Sequence, residues 1–402
     1  MTGNARIAVA VAALAFLPAS KATAAAIPLK LAWIRAGMQI QFTRVIQTDA
    51  GTFAGGLAMA SDERTGLPSI TGVLVRMDRN GKDLWRRGLL DDPEAIATLN
   101  DLILDDAGNL VAAGFASPEG TVPLLTIMGS EHGRRWVVAK YGPDGAILWS
   151  RTYNHSEQDN DMANAVATDP EGAVYAVGTE HRHDLGQQAN WHIRKYDSRG
   201  ALQWTASFSG TAGGDDVAVA ARWLKTGELA VYGSEATGGW MIRGYGPDGA
   251  QRWTTGRLSE ETAGSATDKR GLASSPAGDV WAYHQQGADL ITDIVSAGTA
   301  GRVRKSVFKS PGTSGGAWGQ TADGRPCHAV VQQDPVAPGR EQFVIEVFNL
   351  DGTMTRRFIY TPDRPTGMKA VDVWIDESHR ACFVSGLNAD ASALFCLRFV
   401  EP

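Results

Sequence analysis

Residues 138–153 read VAKYGPDGAILWSRTY, and residues 194–216 read RKYDSRGALQWTASFSGTAGGDD. Each stretch sets a turn ending in glycine between two apolar-rich runs, with a tryptophan four residues beyond the glycine. The pattern is that of a β-hairpin, in which glycine at the turn takes the positive φ that other residues resist. It recurs as Asn80-Gly81 with Trp85, Asp144-Gly145 with Trp149, Arg199-Gly200 with Trp204 and Asp248-Gly249 with Trp253. Ala300-Gly301 and Asp351-Gly352 keep the glycine but have Lys305 and Arg356 in the tryptophan's place. The glycines follow one another at steps of 64, 55, 49, 52 and 51 residues, a period that marks a repeat architecture.

A second set of turns interleaves with the first, at Ala50-Gly51, Ala107-Gly108, Glu171-Gly172, Thr226-Gly227, Ala277-Gly278, Asp323-Gly324 and Glu377-Ser378. One unit therefore reads as four strands, inner to outer. Seven turns of the second kind against six of the first leave the last unit, from Met368 onward, without an outer strand. Residues 29–36 supply one, because Leu31-Ala32-Trp33-Ile34-Arg35 resembles Ile147-Leu148-Trp149-Ser150-Arg151. The sequence thus predicts an all-β fold: a seven-bladed β-propeller of four-stranded antiparallel blades. The last blade is closed three-plus-one by the N-terminal strand, which leaves no open sheet edge at the seam.

With DPEGAVYAVGTE at 169–180, the two opening stretches resemble the SBBP-type bacterial β-propeller repeat family, best over 136–253 and more weakly over 29–400. The resemblance implies an exported propeller that serves as a binding or surface-associated part, and it brings no catalytic residues. The tryptophan spacing also bears a looser likeness to pyrroloquinoline-quinone-type propeller repeats, without an accompanying cofactor constellation, so no cofactor is expected.

The 402 residues are 43% hydrophobic and 20% charged, a core-forming balance, and 46 glycines with 12 tryptophans suit turns and strands. Residues 1–26 read as a signal peptide: Arg6, an apolar run over 7–19, and small-residue cleavage sites after Ala24 and Ala26. Residues 27–402 are then one propeller domain, secreted or periplasmic, monomeric, with an apolar run too short for a membrane span. A net charge of −6 without a basic run argues against nucleic acid as partner. Three cysteines make no disulfide framework. Numbering outward from Ala389, however, sets Cys382 opposite Cys396 in an antiparallel hairpin, within reach of a bridge.

The repeated tryptophans are expected to fill the space between neighbouring blades. Asp161 and Asp216, each eleven residues before a turn glycine, are expected to accept backbone N–H bonds and fix loops. Gly244, Gly246 and Gly249 spell a dinucleotide fingerprint, and 312–316 a nucleophile elbow, but neither has the helix that its chemistry requires.

Outer-to-inner and second-to-third connections emerge on one face, and the latter are long near 61–72, 116–135 and 180–190. Loops of that length in a compact domain carry function. His155, His181, His183 and Asp184 form a polar border there, with Glu131 and His132 one blade earlier. Leu124, Leu125 and Ile127, in an apolar run with no place in a blade, are the expected anchors. His181, His183 and Asp184 have metal-ligand chemistry but no convergent third ligand, so no metal is expected. The expectation is a non-catalytic binding or scaffold module of the bacterial envelope or exterior, taking a protein or glycan partner at the long-loop face. Its rival is a propeller hydrolase or lyase acting on an extracellular carbohydrate or small molecule. An enzyme of that kind would need acid, base or metal groups converging at the channel mouth.

Overall fold

The computed structural model describes residues 26–38, 40–49, 51–61, 68–90, 97–117, 133–211, 213–236, 239–256, 258, 270–274, 279–286, 289–296, 303–308, 316–349, 353–387 and 392–400. The expected signal peptide lies outside them, apart from Ala26.

The alternation of turns resolves into seven four-stranded antiparallel blades. Blade one spans 40–88. Blade two comprises Ala97–Leu104, Leu110–Ala116, Arg135–Tyr141 and Ile147–Tyr153. Blade three comprises Met162–Thr168, Val174–His181, Ala189–Tyr196 and Leu202–Phe208. Blade four comprises Val217–Trp223, Leu229–Glu235, Gly239–Tyr245 and Gln251–Thr254. Blades five and six cover 270–308 and 317–360. Blade seven consists of Lys369–Asp376, Ala381–Leu387, Ser392–Phe399 and, as its outer strand, Ala26–Met38 from the other end of the chain. Among the described residues the only helical element is a single turn at His183–Leu185.

The tryptophans lock blade to blade in two tiers. In the outer tier, the Trp85, Trp149 and Trp204 indoles donate to the carbonyls of Pro143, Ser198 and Pro247 in the next blade's turn, at 3.0, 3.1 and 2.9 Å. Each ring lies flat against that turn's glycine, so that a Cβ on Gly145, Gly200 or Gly249 would fall 2.8, 2.7 or 2.8 Å from it. The turn glycines Gly81, Gly145, Gly200 and Gly249 share φ of 79–84°, which serves both the turn and the docked ring. In the inner tier, Trp136 and Trp191 on third strands are fully buried and donate to Thr179 and Ser234 carbonyls at 2.8 and 2.9 Å.

The N-terminal strand copies the outer tier. Trp33 packs against Gly81 of blade one, where a Cβ would fall 2.5 Å from the ring. Arg35 donates to the Gly81 carbonyl at 2.8 Å, as Arg87 and Arg151 donate to Gly145 and Gly200 at 3.1 and 2.7 Å. It also pairs with Asp83 at 2.7 Å. One feature exceeds the sequence expectation: Ala26–Pro28 continue beyond the blade and pair in parallel with Arg357–Ile359 of blade six.

The expected disulfide is corrected by register. Cys382 pairs with Leu397 and Phe383 with Cys396, so the two cysteines are offset by one residue. Successive strand residues face opposite sides. Cys382 accordingly packs towards blade six, in the cluster of Phe343 and Phe358, and Cys396 towards blade one, with Trp33 and Phe42. Cys327, Cys382 and Cys396 are all free and buried. Burial pushes the Cys396 thiol up to about 12, far from the reactive thiolate. Thiol titration of the denatured, unreduced protein should therefore count three thiols; a count of one would restore the bridge.

Candidate functional site

Two connections on the long-loop face meet between blades two and three. Residues 154–161 lead from blade two's outer strand to blade three's inner strand. Residues 182–188 join blade three's second and third strands through the helical turn, which ends on Gly186 at φ 68°. Asp161, with no exposed surface, ties the two together: its carboxylate accepts the His155 N–H at 2.6 Å and the His181 N–H at 2.8 Å. Asp216 makes the same clamp one blade on, accepting from Gly210 and Ala236 at 2.6 and 2.9 Å. The repeated aspartates thus fix loops as the sequence predicts. Burial pushes the Asp161 carboxyl up to about 6 against the pull of its two backbone donors.

Histidine–carboxylate pairs then cross between the loops. His183 Nδ1 lies 2.6 Å from Asp159, and His155 Nε2 lies 3.2 Å from Asp184. Arg182 grips Asp184 through two contacts of 2.9 Å and holds its carboxyl down to about 2. A cleft of about 620 Å³ opens between the loops, lined by residues 155–159, His183 and Asp184. His181 turns inward instead, 4.0 Å from Asp161 and with its ring 5.8 Å from that of His183. Of the sequence-predicted residues, His155, His183 and Asp184 therefore share the cleft, and His181 stands behind it. Leu124, Leu125, Ile127, Glu131 and His132 lie outside the described residues. The sequence places Asp159 among the chemical groups of 154–161 without showing its partner on the opposite loop, and it does not single out Arg182, whose partner lies two residues away.

Beneath the cleft, a buried network joins the blades. The Tyr153 hydroxyl donates to Glu180, whose other oxygen lies 3.6 Å from His192. His192 stacks on Tyr153 at 5.2 Å and pairs with the Ser207 hydroxyl at 2.8 Å. The Arg194 guanidinium lies 3.9 Å from the Tyr153 ring centroid. Burial drives His192 down to about 4, so it is neutral at physiological pH, and with only 4% exposure it is closed to a ligand.

The loop histidines should titrate in opposite directions. Burial lowers His181, whereas the hydrogen bond to Asp159 raises His183 above the usual 6.5. A raised histidine adds stability below its unfolded pKa and loses it as pH climbs through the folded one. The His183–Asp159 tie is therefore complete below about pH 6.5 and weakens above that. An NMR titration should place the His183 midpoint above that of His181, and Asp159→Asn should bring His183 back towards 6.5; coincident midpoints would contradict the tie.

Among the described residues no three His, Cys, Asp or Glu side chains are grouped to hold a metal, and no helix is long and apolar enough to cross a membrane. No protein-family model and no curated protein matches the sequence. Among solved structures, Raptor from Chaetomium thermophilum aligns with a TM-score of 0.50 at 11% identity, over 94% of this chain and 29% of Raptor. The β-propeller domain of Cps50 (Swd1) from Myceliophteria thermophila aligns with a TM-score of 0.49 at 10% identity, over 89% of this chain and 99% of that domain. Identities this low speak to fold alone. With seven blades locked by tryptophan and a seam shared by both ends of the chain, this protein is a β-propeller.

Proposed function

We propose that the chain is an exported, non-catalytic binding module of the bacterial envelope or exterior, engaging a protein partner at the cleft between blades two and three. The observation that carries this reading is that the cleft's histidines and aspartates pair with one another across two clamped loops. His155 and His183 each face a carboxylate on the opposite loop, and Arg182 is spent on Asp184. A general base or nucleophile needs a free group aimed at substrate. Paired charges on clamped loops instead present a fixed pattern of donors and acceptors, as the polar rim of an interface does. Leu124, Leu125 and Ile127 are the proposed apolar anchors, with His155, His181, His183 and Asp184 as the polar border. The resemblance to SBBP-type repeats and the 1–26 segment support export; the chain recovered from its native envelope should begin at Ala25 or Ile27, and an intact Met1 in that fraction would argue against it.

The test is affinity capture from the native envelope fraction, with wild type and His155→Ala/His183→Ala as baits. The double variant should melt only a little below wild type, because His155, His183 and Asp184 are partly exposed and the buried Asp159 keeps the Ser156 hydroxyl as a donor. It should lose most of the captured partner. Equal capture by both baits, or turnover of envelope glycans by the purified protein, would overturn the reading.

A further inference from the structure

On the opposite face, the boundary between blades three and four breaks the repeat. In blades two to six the last antiparallel pair of the inner strand joins residues six places apart, and in blades two, three, five and six its inner-strand member is Leu104, Thr168, Ser274 and Gln320. Blade four has Trp223 there. Trp223 belongs to neither docking tier. It is half-buried, its ring stacks on Tyr175 at 5.0 Å and 24°, and its indole N–H donates to nothing among the described residues.

Tyr175 is the second departure. Blade two carries Val111 at that register, and Lys140 beside it closes on Asp105 at 2.8 Å, with 3% and 2% of the two side chains exposed. In blade three the Tyr175 hydroxyl takes Asp169 at 2.9 Å. Lys195, equivalent to Lys140, is left 3.9 Å from Asp169, donating to the Pro247 carbonyl at 3.1 Å and lying over the Tyr175 ring at 5.0 Å. A sealed ion pair in one blade becomes, in the next, an open cleft of about 580 Å³ lined by Trp223, Glu171, Lys195, Asp197 and Gln203.

We infer that this cleft binds a sugar ring of a neutral glycan. The ring of Trp223, backed by Tyr175, offers an apolar platform for the C–H face of a pyranose. Carboxylate, amide and ammonium groups around it supply both acceptors and donors for hydroxyls, the few convergent polar groups that fix a small ligand's orientation. More acid than base in the lining disfavours phosphates and sulfates. One open ring is a platform, not the cage that a quaternary ammonium group selects. The inference goes beyond the role proposed for the histidine face and does not depend on it.

The test is isothermal titration with cello-, chito-, manno- and xylo-hexaose, and with choline as the cationic probe. The variants are Trp223→Thr, which installs blade three's own residue, Glu171→Gln, and His155→Ala/His183→Ala. At least one hexasaccharide should bind wild type and the histidine variant equally. Trp223→Thr should weaken it by roughly tenfold or more, corresponding to about 1.4 kcal/mol of stacking, with the melting temperature within a few degrees of wild type. Should Trp223→Thr unfold the blade, Glu171→Gln gives the same reading by weakening binding in a folded protein. No hexasaccharide bound by wild type, binding unchanged in both cleft variants, or choline bound in preference would overturn the inference.

Discussion

A chain lacking residues 1–39 should lose the closed ring of blades. Residues 26–38 pair along the whole of Ser392–Phe399, and their removal exposes that strand as a sheet edge eight residues long. An unprotected edge is a template for pairing with another chain. Two core clusters are opened as well: Leu29 leaves the one between blades six and seven, and Trp33 the one between blades seven and one. Those two side chains alone contribute about 1.5–3 kcal/mol each by burial, and the Arg35 contacts to Gly81 and Asp83 go with them. A loss on the order of 5 kcal/mol or more is a large share of the ~5–15 kcal/mol that holds a folded domain. Thermal melting and size-exclusion chromatography should show aggregation or a much lower transition than for the chain beginning at Ala26. Equal melting temperatures with monomeric elution from both would remove the N-terminal strand from the seam.

The architecture is legible in the sequence because several blades repeat two constraints that few residues satisfy. A positive-φ turn selects glycine, and a flat surface over that glycine selects tryptophan, so the pair recurs where blades seven, one, two and three dock on the next. The N-terminal strand is readable for the same reason: Trp33 and Arg35 stand at the spacing of Trp149 and Arg151. In both places the ring meets the turn glycine and the arginine donates to its carbonyl, although among the described residues the Trp33 indole lacks the carbonyl partner that Trp149 has. Register is less legible. Numbering outward from Ala389 opposes Cys382 and Cys396, but Leu387 pairs with Ser392, so the connection holds four residues and centres between two of them. That half-residue shift moves one cysteine to each face of the blade. Blade seven's first turn shows a similar limit: it has no glycine, and Arg380 takes the positive φ of 51° in its place. At the histidine face, Asp161 was visible because Asp216 repeats it. The pairing of His183 with Asp159 spans 24 residues and depends on how two loops meet, which composition does not encode. Trp223 is conspicuous only once the register of every inner strand is known, since the sequence offers it as one tryptophan among twelve.

Trp191→Ala should be the most damaging single substitution tested between blades three and four. The indole is fully buried on blade three's third strand, donates to the Ser234 carbonyl of blade four at 2.9 Å, and meets Phe208 edge-on at 5.5 Å. Blade four makes room for it with Gly233, where a Cβ would lie 2.6 Å from the ring. Truncation leaves a void between two β-sheets whose backbones are held by their own hydrogen bonds, so neither can collapse into it. The void and the lost apolar contacts together cost about 3–5 kcal/mol, and the stranded Ser234 carbonyl adds to that. Trp204→Ala removes an outer-tier indole from the same interface, with its bond to Pro247, but at a position open to solvent. Water can replace part of what that ring supplied, so the cost should be about 1–2 kcal/mol. Urea unfolding of both variants should give midpoints in the order wild type, Trp204→Ala, Trp191→Ala. Equal midpoints for the two variants would mean that the blades are held at the rim as firmly as at the interior, and that the inner tier is not what locks them.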